Sequence, residues 1–249
     1  MKQRPCVLVF AGFDPSCGAG IAADVQTVTA LGGHPLAVVT ALTVQDNNRV
    51  HGVEPTPPEL VRRQARALMD SCEIGAVKIG IPGSAENAAA IAELIAALRR
   101  EQGAALPVVL DPVLASGRGD ALARGDAATA LQPLFGQATL LTPNGPEAEA
   151  LAARAGAVPH LLLTGGHGSG ANVVNTWRHE GREREWKWPR LPGEFHGSGC
   201  TLASAAATLL AQGLPMEQAL DRAQAFTFEA LLASYAIAPG QCMPLRRAA

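Results

Sequence analysis

Val7-Leu8-Val9-Phe10-Ala11, then Gly12-Phe13-Asp14-Pro15-Ser16-Cys17-Gly18-Ala19-Gly20, then a helical stretch from Gly20 to Leu31: this opening decides the fold. Five consecutive apolar residues bounded by glycine read as a strand buried on both faces, which is how strands of a parallel sheet read. A loop of Gly, Pro, Asp and Ser leads straight into a helix, the first strand–helix half of a βαβ unit. The pattern then repeats. Leu36–Ala41, Ala76–Ile79, Val108–Leu110, Thr139–Leu141 and His160–Leu163 are further short apolar runs. Between them, Pro57-Pro58-Glu59 opens a helix to about Ser71, with prolines and an acid where helix starts prefer them. Ala85–Arg100 carries apolar residues at Ala88, Ile91, Ala92, Ile95 and Leu98, a helical period. Asn172–Arg178 and Arg184–Trp188, joined through Gly181, predict an antiparallel hairpin at one edge. Helices at Cys200–Gln212 and Met216–Tyr235 close the chain. The expected architecture is α/β, a mostly parallel central sheet with helices on both faces and an antiparallel edge hairpin. No repeat or linker divides it, so residues 1–249 read as a single domain.

Composition excludes several classes of function. Net charge is −2 and the pI is about 6.3, so nothing favours nucleic acid as a partner. No apolar run is long enough to span a membrane. The five cysteines form no CxxC pair and no metal-ligand spacing. With an odd count and no signal peptide, reduced thiols in a cytoplasmic protein are the expectation.

In such sheets ligands gather beyond the carboxyl ends of the strands. Six of these ends carry Gly, Pro or polar residues: the Gly12–Gly20 loop, Thr40–Asn47, Lys78-Ile79-Gly80-Ile81, Asp111-Pro112-Val113, Thr142–Glu147 and Thr164-Gly165-Gly166-His167. The last candidate is Phe195-His196-Gly197-Ser198-Gly199-Cys200-Thr201, which runs into a small-residue helix. Its unpaired backbone N–H groups and helix dipole would cradle an anion. Cys200 lies in the same turn, where that field favours thiolate. A tight turn with Cys200 as a small core residue fits the same residues.

The motifs Ala11–Asp24, Thr40–Gln45, Val77–Gly80, Leu110–Val113, Thr142–Glu149, Gly165–His167 and His196–Thr201 occur in one order over nearly the whole chain. Together they resemble the hydroxymethylpyrimidine and phosphomethylpyrimidine kinases of thiamine biosynthesis. The resemblance implies a ribokinase-like fold, ATP as donor, Mg²⁺, a pyrimidine alcohol as acceptor and a homodimer. It implies that Gly197, Ser198, Gly199 and Cys200 hold the transferring phosphoryl group, with Cys200 as base. It assigns Gln45 to the aminopyrimidine edge, Asp24 to the acceptor, and Gly12, Gly18, Ala19 and Gly20 to close backbone approach. Val44, Gly80 and Ile81 would pack against the ring. Asn144, Glu147, Thr164 and Gly166 would face the nucleotide, and Asp111 with Glu147 would hold Mg²⁺. Without the resemblance, Gln45 reads as a solvated loop residue, whereas Asp24 and Glu147 fit a ligand role and an acid stabilising a helix start equally well.

The chain departs from the family pattern at several places. Thr164 stands where a Lys is usual, leaving Lys78 as the candidate cation for the phosphates. Phe13 and Cys17 replace small residues, Asp46-Asn47 replaces Asn-Thr, Ile81 replaces Met, and Asn175 replaces Asp. The stretch from Glu149 to Thr164 is short by about one helix. Two other readings are a pyridoxal or pyridoxine kinase and a non-catalytic sensor of a pyrimidine phosphate.

Overall fold

A computed structural model describes residues 4–115, 119–120, 126–156 and 158–248. The strands are β1 (Cys6–Phe13), β2 (His34–Gln45), β3 (Val50–Pro55), β4 (Ile74–Ile79), β5 (Val108–Leu110), β6 (Leu140–Leu141), β7 (His160–Leu163), β8 (Asn172–His179) and β9 (Arg182–Pro189). The helices are α1 (Gly20–Ala30), α2 (Pro58–Met69), α3 (Ala85–Gln102), α4 (Ala127–Ala130), α5 (Gln132–Phe135), α6 (Gly145–Ala155), α7 (Ser198–Ala211) and α8 (Met216–Leu232). All nine strands form one sheet in the order β3-β2-β1-β4-β5-β6-β7-β8-β9. Pairings from β2 through β1 to β7 are parallel, whereas β2–β3, β7–β8 and β8–β9 are antiparallel.

The alternation of the strands builds two cores. Leu8 and Phe10 of β1 face one helix layer with Ile91, Leu94 and Leu98 of α3 and Val61 of α2. Val7, Val9 and Ala11 face the other, with Val28 of α1, the alanines of α7, and Leu220 and Ala223 of α8. Period-two side chains make this two-sided burial automatic. Each fully buried Leu or Ile contributes about 1.5–3 kcal/mol.

The expected α/β architecture is the observed one, and the bounds read for β5 and β7 coincide with the structure. Two features differ. The sheet has antiparallel strands at both edges, because β2 runs on to Gln45 and turns back as β3. The prediction ended β2 at Ala41, since the polar Thr43 and Gln45 break the apolar run. The short Glu149–Thr164 segment still holds a helix, as α6 starts earlier, at Gly145.

Chain direction explains where a ligand goes. From β1 the chain winds outward to β2 and β3, then returns through α2 to β4 on the other side of β1. The crevice beyond the carboxyl ends of β1 and β4 is therefore a topological switch point.

At the opposite ends of the strands, His160 stacks on the Trp177 ring with centroids 5.7 Å apart and lies against His179, tilted by 31°, at 3.8 Å. Burial, reinforced by His179, pushes His160 down to about 4. The folded value lies below the ordinary ~6.5, so protonation favours the unfolded chain. The His160 contribution to stability is thus complete above about pH 6.5 and declines as pH falls toward 4. A His160→Phe variant is expected to show a smaller drop in melting temperature between pH 7 and pH 4.5 than the parent. Equal drops in the two proteins would remove His160 from the acid response.

Candidate active site

The crevice holds a cavity of about 540 Å³, lined from the β1, β2, β4, β5, β6 and β7 strand ends and from the turn before α7. Gly197, Ser198, Gly199 and Cys200 line it together with Gly12, Ala19, Gly20, Gln45, Gly80, Ile81, Asp111, Asn144, Glu147, Thr164 and Gly166. Residues spread over most of the sequence are brought to one place.

Gly197 caps α7 in the left-handed region, φ 79°, and no side chain satisfies the helix N-terminus. The first N–H groups of α7 are thus left for an anion. Facing them, Asp14 organises the acceptor-side loop. Its carboxylate accepts from the backbone N–H of Ser16, Gly18 and Ala19 at 2.8–3.1 Å and lies 2.8 Å from His196 Nε2. Burial opposes the charge on Asp14, but the hydrogen bonds from His196, Ser16 and Ala19 hold it below the usual carboxylate range.

Beneath the turn sits a cluster of ionisable groups. Lys78 Nζ lies 2.9 Å from the Asp24 carboxylate, and both side chains are fully buried. Ser204 Oγ donates to the same carboxylate at 2.7 Å. Burial disfavours the Lys78 charge, yet Asp24, Cys200 and Asp111 together hold it above its ordinary value. Burial pushes Asp111 up to about 6 and, with the Asp111 charge nearby, Glu147 up to about 7. One Asp111 oxygen, Oδ2, is buried without a hydrogen-bond partner.

Several expectations need correction. Strand alternation turns Thr43 and Gln45 into the cavity and Val44 away from it, 61 % exposed, so Val44 is not placed to pack on a ring. Asp24 does not line the cavity, because its carboxylate is engaged by Lys78 and Ser204. Lys78 borders the cavity, but its ammonium is committed to Asp24 below the floor and does not replace a phosphate-facing cation. Gly18 lies behind the lining, packed where a Cβ would meet His196 at 2.3 Å and Met243 at 2.5 Å. For Cys200, burial, aided by the Asp24 and Asp111 charges, outweighs the Lys78 ammonium and the Gly20 N–H and pushes the thiol up to about 12. It is a neutral thiol near pH 7, not a resting thiolate.

The Asn144–Glu147 pair is a capping box. Asn144 Oδ1 accepts from the Glu147 N–H, and Glu147 Oε2 accepts from the Asn144 N–H, both at 2.9 Å. Both residues also line the cavity, so the helix cap and the site share them. Thr164 hydrogen-bonds the Pro143 carbonyl through both its N–H and its hydroxyl.

The sequence places adenine contacts around Val173–Phe195 and the last helices without singling out residues, and a chain of contacts lies there, at the other end of the cavity. Gly165 N–H donates to Asn175 Oδ1, and Asn175 Nδ2 to Gln224 Oε1, at 2.9 and 2.8 Å. Trp188 Nε1 donates to the same Gln224 oxygen, and its ring stacks on Phe228 at 5.1 Å. Trp188, Phe228, Val173 and Leu231 give this end an apolar lining. An aromatic on an edge strand and a polar residue within a helix carry no motif, so only the fold joins them.

Asp111 with its orphaned oxygen and Glu147, its carboxyl pushed up by burial and the Asp111 charge, form a pair that a cation would relieve. Among the described residues no group of three or more His, Cys, Asp or Glu is arranged to hold a metal. Two carboxylates fit Mg²⁺, which keeps most of its waters and takes further oxygens from phosphate.

Fold and strand-end crevice together define a ribokinase-like architecture. The profile of the family described as phosphomethylpyrimidine kinase matches residues 14–245, and the chain belongs to that family. It is 37 % identical over 255 residues to a hydroxymethylpyrimidine/phosphomethylpyrimidine kinase of Streptomyces coelicolor, covering 95 % of this chain and 92 % of that one. A thiamine biosynthesis bifunctional protein of Geobacter sulfurreducens is 38 % identical over 247 residues, with 92 % of this chain covered. The chain spans about half the length of that relative (49 %). Among solved structures, the phosphomethylpyrimidine kinase of Clostridium difficile superposes with a TM-score of 0.76 at 28 % identity, covering 92 % of this chain and 99 % of the other. The pyridoxal kinase of Staphylococcus aureus in complex with AMP-PCP and pyridoxal reaches 0.85 at 24 % identity, over 99 % and 95 %, a likeness of fold.

Proposed function

We propose that residues 1–249 act as one kinase unit that transfers the γ-phosphoryl group of ATP to the hydroxymethyl oxygen of 4-amino-5-hydroxymethyl-2-methylpyrimidine, of its monophosphate, or of both. The observation that carries this is the uncapped N-terminus of α7, behind Gly197, opening into the same cavity as the acceptor-side loop. The chemistry is in-line attack on phosphorus through a loose transition state, where positioning and charge dominate. Backbone N–H groups from Gly197 to Cys200 would meet the phosphoryl oxygens as charge develops on them. Asp111 and Glu147 would hold Mg²⁺, which supplies charge neutralisation on the phosphates when bound. Thr164 and Gly166 would border the phosphates, and the apolar end around Trp188 and Phe228 would take the adenine.

On the acceptor side, Gly12, Ala19, Gly20 and Gly80 admit a flat ring close to the backbone. A Cβ on Gly12 would lie 2.6 Å from Ile81 Cδ1, so the glycine leaves room for Ile81 to border the ring. The Gln45 carboxamide offers a donor and an acceptor for a ring nitrogen and its exocyclic amine. Cys200 would take the alcohol proton only as a thiolate, after releasing its own proton, because its thiol is protonated in the free protein. A loose transition state asks little of a base, so Cys200→Ala is expected to keep part of the activity, falling about 10- to 100-fold. A cytoplasmic homodimer completes the proposal. Phe13 and Leu42 are register partners on β1 and β2, and with Val44 they form an exposed apolar strip suited to a second copy.

Mass spectrometry of the products tests this, with Mg²⁺-ATP and three acceptors in parallel: the hydroxymethylpyrimidine, its monophosphate and pyridoxal. Diphosphate formed from the pyrimidine monophosphate, reduced in Cys200→Ala, is the expected result. Pyrimidine binding without any phosphorylated product would overturn the kinase in favour of a sensor. Preferential phosphorylation of pyridoxal would reassign the acceptor.

A further inference from the structure

The two halves of the cavity meet at one point. Gly18 of the acceptor-side loop and Gly197 of the anion turn are in backbone contact, so close that a Cβ on Gly197 would lie 2.1 Å from the Gly18 carbonyl oxygen. A single side chain from the end of the chain spans this junction. Arg246, 8 % exposed, donates from Nη2 to the Gly18 carbonyl at 2.6 Å and to the Gly197 carbonyl at 3.4 Å. Its Nε donates to Thr201 Oγ1 at 2.8 Å, and its Nη1 to Gln26 Oε1 at 3.3 Å. One planar guanidinium thereby joins the acceptor-side loop, α1, the anion turn and α7, a geometry that an ammonium cannot reproduce.

The segment that delivers Arg246 is itself built into the site. After α8 the chain doubles back: Tyr235 and Met243 exchange backbone hydrogen bonds, and Cys242 bridges Glu194 and His196 on the segment leading to the anion turn. Leu245 N–H bonds the Ala230 carbonyl of α8, fixing the residue just before Arg246. Met243 packs on Gly18 beside His196. The family match ends at residue 245, one residue short of this arginine.

We infer that Arg246 is a positioning residue that sets the separation between the acceptor alcohol and the transferring phosphoryl group, by locking the Gly18 and Gly197 carbonyls to one rigid fork. Each substrate has its own loop for binding, so loosening their junction leaves the separate affinities in place and spoils their mutual alignment. A displacement of about 1 Å between reacting groups costs on the order of 10²-fold in rate.

The inference rests on the kinase reading above, and the test separates the two. Arg246→Lys and Arg246→Met are compared with the parent chain for melting temperature and kcat. Binding of a non-hydrolysable ATP analogue and of the pyrimidine alcohol, each alone, is measured by calorimetry. ATP hydrolysis per phosphoryl transferred is the fourth readout. The expected result is a kcat lowered about 100-fold in both variants, separate affinities within about 3-fold of the parent, and more hydrolysis per transfer. Lysine keeps the charge and the fold but not the fork, so it guards against a methionine variant that fails to fold. Unchanged kcat in a folded variant overturns the inference. A parallel loss of kcat, both affinities and melting temperature also overturns it, since that is what a merely structural residue gives. A parent chain that transfers no phosphoryl group overturns the kinase reading and, with it, the role of Arg246.

Discussion

Lys78→Met is expected to destabilise the protein by about 3–5 kcal/mol, because it leaves a buried carboxylate without its counter-charge. Asp24 and Lys78 are both fully buried, 2.9 Å apart, and among the described residues only Ser204 offers the Asp24 carboxylate a second hydrogen bond. Met matches the lysine stem in length, so packing is nearly conserved and the charge is what changes. The ammonium also faces Asp111 and Cys200, so its loss sets Asp24 and Asp111 against each other. Guanidinium denaturation measures the effect, and a loss under about 1 kcal/mol would show that the pair is not acting as a buried ion pair. The companion variant sharpens the point. Replacing both partners, Lys78→Met with Asp24→Leu, removes both charges, and buried pairs exchanged for apolar residues are often close to neutral in stability. The double variant is therefore expected to recover most of the loss. If it is less stable than Lys78→Met alone, the cost lies in packing.

That pair also marks the boundary of what the sequence discloses. The parallel core was legible because β1, β5 and β7 are apolar runs between glycines and polar turns, a one-dimensional signal. The crevice followed from the rule that ligands sit beyond strand ends, and the structure brings Asp111, Asn144, Glu147, Thr164 and Gly197–Cys200 into one cavity there. Strand β3 was not legible, since Val50-His51-Gly52-Val53-Glu54-Pro55 contains a glycine and ends in proline. Its absence from the reading is also why Val44 was turned the wrong way: a residue assigned to a loop has no alternation to obey. Asp24 and Lys78 each looked available for a ligand because their partnership spans 54 positions. The Cys200 thiol was misjudged because a helix N-terminus is visible in a sequence and the depth of burial is not. Arg246 left no trace at all, as a tail residue acquires a role only where the fold puts it.

Gly197→Ala is expected to cut kcat/KM by about 10³-fold or more while costing about 2–4 kcal/mol in stability. Two independent constraints fall on this one position. Its φ of 79° is a left-handed conformation that an alanine adopts at about 1–2 kcal/mol. Its Cβ would stand 2.1 Å from the Gly18 oxygen and 2.8 Å from the Ala19 Cα, both backbone atoms with no rotamer to relieve the overlap. The anion turn and the acceptor-side loop must therefore move apart, and they are the two surfaces whose spacing the reaction needs. The backbone N–H groups behind Gly197 would also leave the positions from which they meet the phosphoryl oxygens. Gly136→Ala supplies the control, because nothing lies within 4 Å of its added methyl and its φ of −68° suits alanine. The expected contrast is a folded, fully active Gly136→Ala beside a folded but nearly inactive Gly197→Ala, compared by steady-state kinetics and thermal melts. Normal turnover in Gly197→Ala would mean that the turn can relax without disturbing transfer. In that event the N-terminus of α7 could not be what holds the phosphoryl group, and the cradle would have to be sought at the other uncapped helix start on the cavity wall, Ala19–Gly20 of α1.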